Sequence, residues 1–192
     1  MISEIKAKAH FREHIETAER SSDSLAKQLC VVSSLIADSL KKGGTLFLCG
    51  NGGSASDSQH ISAELVGRFL FERDPLRAIA LTTDTSALTC IANDYSYHEV
   101  FSRQLKALAR ERDILLTLST SGNSNNVVNA AKVAKDLNLI TIGFLGHNGG
   151  TLASIVDHSL IVDSTSTARI QEIHILMGHI LCDLIESAFT HM

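Results

Sequence analysis

A chain of 192 residues with 44% hydrophobic content has the length of one ordinary domain and enough apolar mass for a real core. Its formal net charge of −4, with lysine and arginine dispersed, excludes the basic footprint of a nucleic-acid binder. The opening stretch carries Glu4, Lys6, Lys8, Arg12, Glu13 and Arg20 without an apolar centre, unlike a secretory signal, and no apolar run approaches the roughly 18 residues of a membrane helix, so a cytoplasmic protein is expected.

In chain order, Ser3 to Arg20 reads as a helix with Ile5, Phe11, Ile15 and Ala18 on a loose apolar face. Ser21, Ser22 and Asp23 offer a cap for a second helix, which carries Leu25, Leu29, Val32, Leu35, Ile36 and Leu40 at helical spacing and stops at Gly43-Gly44. A helical pair before the first strand has no place inside a plain doubly wound sheet. Residues 1–43 are therefore expected to serve oligomerisation or to pack on the domain's own sheet, with residues 44–192 as the core of a single domain.

From Thr45 an apolar run ends at Gly50, the pattern of a buried parallel strand, and a helix follows from Ser54. The first amides of that helix point back at the glycine turn. Their unpaired N–H groups and the positive dipole end favour an anion, and Gly52 and Gly53 let backbone approach it closely. His60 and Glu64, at i and i+4, share a helix face about 5–6 Å apart at Cβ. No Gly-Lys-Ser/Thr follows, so this is not a Walker A loop. Gly50, Gly52 and Ala55 do satisfy the dinucleotide pattern G-x-G-x-x-A, but the acidic residue that should follow, near Asp84, comes late. A tight turn without a ligand is the remaining alternative.

Past Pro75, Leu76 to Leu81 is a second strand, and a short helix closes at Asn93-Asp94. His98 to Ala109 is amphipathic and helical, and Asp113 to Leu118 is a third strand that runs into Ser119-Thr120-Ser121-Gly122-Asn123-Ser124 before a helix near Asn125. Four hydroxyls and helix-start amides there make a neutral phosphate cage, although one hydroxyl is expected to cap the helix. Two such loops at strand ends fit the rule that open α/β sheets bind ligands beyond the carboxyl ends of their strands, and a monophosphate suits them better than a dinucleotide. Leu139 to Leu145 and His158 to Val162 are the last strands, separated by a turn at Asn148-Gly149-Gly150 and a short helix. The final helix carries Ile170, Ile173, Leu176, Met177, Ile180, Leu181 and Leu184 over more than one face, so its polar Gln171, His174 and His179 need explaining. The plainest account of each is a core residue satisfied by one hydrogen bond. Cys30, Cys49, Cys90 and Cys182 lack paired spacing and sit in apolar contexts, as reduced buried thiols would.

GNGGSA, then D-x-Q-H-x-x-A-E-L, AND, STSGNS and ARIQE-x-H-x-x-x-x-H together resemble the phosphoheptose isomerases, the sedoheptulose 7-phosphate isomerases of the sugar-isomerase (SIS) fold. The likeness runs nearly from Gly43 to the C-terminus. It implies an α/β three-layer sandwich with a five-stranded parallel sheet between helices, assembled as a homotetramer with active sites between subunits. By resemblance, His60, Glu64, Gln171 and His179 fall on zinc-ligand positions, and Asn51, Gly52, Gly53, Glu64, Asn93, Asp94, Ser119, Thr120, Ser121, Ser124 and Gln171 on substrate-contacting positions. Gln171 and His179 are eight residues apart, about 12 Å along a helix, so a shared metal rests on the resemblance more than on spacing. A rival group, the non-enzymatic DnaA initiator-associating proteins, shares the turn, the hydroxyl loop and ARIQE, but carries neither a carboxylate nor an imidazole at the positions of Glu64 and His179. This chain keeps both, as a proton shuttle requires.

The resemblance further implies the reaction. Sedoheptulose 7-phosphate would become D-glycero-D-manno-heptose 7-phosphate through an enediol, the first step toward ADP-heptose and the lipopolysaccharide core. Such a step needs a positioned base and acid, for which Glu64 and His179 are the candidates, and an electrophile for the developing enediolate, a part zinc can fill.

Overall fold

The computed structural model, which describes residues 2–190, turns the apolar runs into five strands: β1 (Leu46–Gly50), β2 (Ala78–Ala80), β3 (Ile114–Ser119), β4 (Ile140–Leu145) and β5 (His158–Ile161). All pair in parallel in the order β2-β1-β3-β4-β5. Six helices cover the sheet: α1 (Glu4–Lys41), α2 (Gly53–Val66), α3 (Thr85–Asp94), α4 (Ser102–Leu108), α5 (Asn125–Asp136) and α6 (Thr167–Thr190). The strands read as continuous apolar runs because both faces are covered. Leu46, Leu48, Ile114, Leu116, Leu118, Ile142 and Phe144 join one core with α1, α2 and α6. Their alternates Phe47, Cys49, Leu115 and Leu145 join a second core with α4 and α5. Register then places the loops: Gly50 pairs with Leu118 and Ser119 with Leu145, so the segments after β1, β3 and β4 leave the sheet side by side.

Four expectations need correction. The two N-terminal helices are one, because the hydroxyls meant to cap a break are satisfied inside a continuous helix: Ser22 donates to the Glu19 carbonyl, and buried Ser21 accepts from the Asp163 amide. The expected helix over 98–109 splits into a 3₁₀ turn, Tyr97–Glu99, capped by Ser96, and the shorter α4. Only Cys49 and Cys182 are buried, with burial pushing both thiols up to about 12, whereas Cys30 and Cys90 are exposed. Finally, α6 is by length and composition apolar enough to cross a membrane. Here it serves the core, with Ile170, Ile173, Met177, Leu181 and Ile185 buried, and it packs chiefly against α1 and α2.

Candidate active site

The glycine turn after β1 is dictated by geometry. Gly52 sits at φ +56°, where a side chain is strained, and initiates α2 at Gly53. A Cβ on Gly53 would come within 1.7 Å of the Gln171 side-chain nitrogen, and one on Gly178 would meet Ile61 at 2.7 Å. These two contacts set α2 and α6 side by side, running in the same direction. Gln171 therefore lies at the start of α2, while His179 lies two turns further on, opposite His60.

The two imidazoles meet there. His60 Nε2 is 2.9 Å from His179 Nε2, so one ring donates and the other accepts, and Glu64 Oε1 is 3.5 Å from the same His60 nitrogen. Side-chain exposure is 46% for His60 and 25% for Glu64, so the group is reachable from outside. Phe69 stacks on the His179 ring at 5.8 Å. Beneath them Asp57, a residue that sequence reasoning passed over, is buried with Oδ2 unpartnered. Burial raises its carboxyl pKa, and nearby His60 pulls in the opposite direction.

Two imidazole nitrogens and a carboxylate oxygen are donor types that suit a borderline ion such as zinc. Among the described residues, no three His, Cys, Asp or Glu side chains converge on one point as they stand. Gln171 is also packed against Gly53. The donor chemistry of His60, Glu64 and His179 fits a zinc-class ion, while Gln171 lies against Gly53, two turns before His179 on α6.

The hydroxyl loop lies beside the glycine turn. Asn51 and Asn126 exchange side-chain amide hydrogen bonds, both at 2.8 Å, and Tyr97 donates to Asn51 at 3.0 Å. Asn126 and Tyr97 were not anticipated. The Ser119 hydroxyl accepts from the Gly122 amide and that of Ser121 from the Asn123 amide, so each turn fixes an oxygen and leaves its O–H free to donate. Ser124 precedes α5 without a side-chain capping bond, and Thr120 is half-buried. Gly122 packs so closely on Gly149 that a Cβ would lie 2.0 Å from its carbonyl, and Asn123 accepts from the Thr151 amide, which braces the loop. Asn93 and Asp94 close α3 and bond each other at 2.8 Å, and Cys90 donates to Asp94. Among the described residues, their side chains make no hydrogen bond to the other candidate site residues. The hydrogen bonds from Asn93 and Cys90 hold the Asp94 carboxyl below its ordinary value. Asp84, the candidate dinucleotide acid, instead caps α3 by accepting from the Ala87 amide.

A cleft of about 850 Å³ opens on the far side of the hydroxyl loop, lined by Arg20, Ser121, Asn123, His147 and Ser164 among others. It touches the candidate set only at Ser121. The cluster of His60, Glu64 and His179 holds the side-chain types that proton transfer and metal binding use, so the candidate active site is centred there and on the two adjoining loops.

The SIS domain family matches residues 9–146. The chain is 52% identical over 181 residues, 94% of each chain, to the phosphoheptose isomerase of Helicobacter pylori. It is 51% identical, over 94% of this chain and 95% of the other, to that of Aquifex aeolicus. Solved phosphoheptose isomerases from Neisseria gonorrhoeae and Francisella tularensis superpose with TM-scores of 0.90 and 0.94 at 43% and 36% identity, covering 95% and 97% of this chain and 97% and 100% of theirs. The chain belongs to the SIS-domain family and, within it, to the phosphoheptose isomerases, and it is a sugar-phosphate isomerase.

Proposed function

We propose that the chain interconverts sedoheptulose 7-phosphate and D-glycero-D-manno-heptose 7-phosphate, in the cytoplasm, as the first step toward ADP-heptose and the lipopolysaccharide core. The observation that supports this assignment is the cluster in which His60 Nε2 lies 3.5 Å from Glu64 Oε1 and 2.9 Å from His179 Nε2, on helices beside the glycine turn and the hydroxyl loop.

The phosphate sits against the O–H groups of Ser119, Thr120, Ser121 and Ser124 and the first amides of α5, a cage without lysine. Asn51, Gly52 and Gly53 approach the sugar from the neighbouring loop, Gln171 orients its oxygens, and Asn93 and Asp94 close the rim. Isomerisation moves a proton between C1 and C2 and a second one between the two oxygens. Glu64 and His179 divide these transfers, one as base at carbon and the other as acid at oxygen. A zinc-class ion held by His60, Glu64 and His179, with Gln171 recruited to it, supplies Lewis-acid polarisation of the substrate oxygens when bound.

We propose further that the chain works as a homotetramer with sites shared between subunits. Supporting this, Ile5, Phe11 and Ile15 on α1 and Leu176 and Ile180 on α6 are large apolar side chains left exposed. An apolar groove of about 310 Å³ also runs between α1 and α6.

The test is incubation with sedoheptulose 7-phosphate, followed by NMR for an aldoheptose phosphate, with light scattering on the same sample. Turnover by a tetramer is expected. No aldose signal would remove the assignment of substrate, and a monomer at micromolar concentration would remove the shared site.

A further inference from the structure

The loop 67–75 that follows α2 is tied down by a pair of charges almost sealed from water. Glu186 of α6 has a side-chain exposure of 0% and Arg73 of 4%, with Nε and Oε1 3.2 Å apart. The Glu186 carboxylate accepts three consecutive amides, those of Phe69 at 3.0 Å, Leu70 at 2.7 Å and Phe71 at 2.9 Å. Burial would raise its pKa, but these amides and Arg73 outweigh burial and hold it below the ordinary value. The Arg73 guanidinium donates to carbonyls in the last turn of α2, Glu64 and Leu65 at 2.8 Å each, and to Gly67 just beyond it at 3.2 Å.

A helix end at a protein surface ordinarily satisfies such carbonyls with water or a glycine turn, so a buried charge is not needed for capping alone. A buried ion pair is a weak source of stability unless every donor and acceptor is met, and here the Arg73 Nε–H lacks a hydrogen-bond partner. What the pair does achieve is local. It fixes the backbone of Glu64 through Arg73. Through the Phe69 amide it also fixes the ring that stacks on His179 at 5.8 Å with 24° between planes. Leu70 and Phe71, by contrast, point outward and are exposed.

We propose that Arg73 and Glu186 are positioning residues that hold Glu64 and His179 in the geometry for proton transfer, acting through the α2 terminus and the Phe69 ring. This rests on the assignment of Glu64 and His179 as the acid/base couple. A misplacement of about 1 Å can cost on the order of 10²-fold in rate, which is the scale on which such an anchor matters.

The test uses the full chain with labelled histidine rings, His179→Asn serving to assign the His179 signals. Glu186→Gln keeps volume but removes the charge and turns N–H groups toward the amides, and Phe69→Leu removes the stack while staying apolar. Leu29→Ala, on the buried face of α1, serves as a control for loss of stability. The expected result is that Glu186→Gln and Phe69→Leu move the His179 ring signals and lower kcat for sedoheptulose 7-phosphate by at least about ten-fold with KM within about two-fold. Leu29→Ala is expected to lower the melting temperature without either effect. Unmoved His179 signals in Glu186→Gln, or an equal fall of kcat in Leu29→Ala, overturn the proposal. Moved signals with full turnover, accompanied by full turnover in Glu64→Gln, support the anchor and place the error in the acid/base assignment. Should Glu186→Gln not fold, Phe69→Leu and Arg73→Lys decide by the same readouts.

Discussion

Glu64 and Glu186 are two carboxylates on neighbouring helices of one core, and they are bonded in opposite ways. Glu186 is fully buried and accepts three amides beside Arg73. Glu64 is a quarter exposed, with His60 Nε2 at 3.5 Å as its near partner. A carboxylate whose lone pairs are filled by fixed donors stays ionised and holds structure, since removing any partner strands a buried charge. One whose oxygens lack fixed donors is left open to a substrate or an ion. The same side chain thus serves as an anchor or as a reagent according to how many donors the fold aims at it.

The sharpest way to break this contrast is to neutralise each glutamate in turn. Glu64→Gln keeps shape and an oxygen but not basicity, so kcat should fall by about 10²–10⁴-fold while the melting temperature holds. His179→Asn should act similarly, and because the proposed couple acts on one reaction coordinate the double variant should cost far less than the sum. Zinc content measured alongside separates the roles: inactive protein that still binds zinc has lost proton transfer, and metal-free protein has lost a ligand. Near-parental turnover by Glu64→Gln would end its assignment as a reagent.

Glu186→Ala should show the reverse order of effects, with stability lost first. Breaking a buried pair by removing one partner typically costs about 3–5 kcal/mol. Denaturant unfolding of parent and variant measures it, and a loss no larger than that of an exposed glutamate such as Glu4 would show that the anchor is not one.

The hydroxyl loop falls between these extremes, since Ser119 and Ser121 accept turn amides and keep their O–H groups free to donate. Ser119→Ala and Ser121→Ala should each weaken phosphate binding by about 1.5–3 kcal/mol, read chiefly in KM. Unchanged kinetics in both would mean that the hydroxyls only shape the turn.

The parts of this molecule that sequence makes legible are those whose cause is local. Apolar runs at Leu46–Gly50 and Ile114–Ser119, the glycine turn and the hydroxyl loop all follow from neighbours in the chain. The break placed at Ser21-Ser22-Asp23 failed because a good cap sequence is equally content inside a helix once α6 packs along it. Asn126, Asp57, Arg73 and Glu186 left no such trace, because their partners lie far away in sequence or at a depth that the chain does not announce. Glu186, in a stretch that reads only as the polar side of a core helix, reaches amides more than a hundred residues earlier. The convergence of His60 with His179 was accessible through family resemblance alone, since helical spacing cannot report which helix lies opposite.

Between the two glutamates in sequence, and on the same helix as Glu186, His174 offers the smallest and most discriminating test. It is fully buried, and its one bond is from Nε2 to the Leu145 carbonyl at 3.1 Å, with Nδ1 unpartnered. Burial lowers its pKa from 6.5 to about 4, which the Leu145 bond only partly opposes, so this site stays neutral where Glu186 stays charged. A histidine depressed in the folded state is protonated first in the unfolded chain, so stability is lost as pH falls from 6.5 toward 4. The Glu186 contribution, from a pKa depressed below 4.5, is kept above that value and lost only at lower pH. The His174 share between pH 7 and 5 is roughly 2 kcal/mol at about 1.4 kcal/mol per pKa unit. His174→Gln can still donate to Leu145 but cannot titrate, so urea unfolding at pH 7 and pH 5 should show that much less pH dependence than the parent. Equal pH dependence in both would mean that His174 is protonated as readily inside the fold as outside it, and that burial by itself does not decide charge in this core.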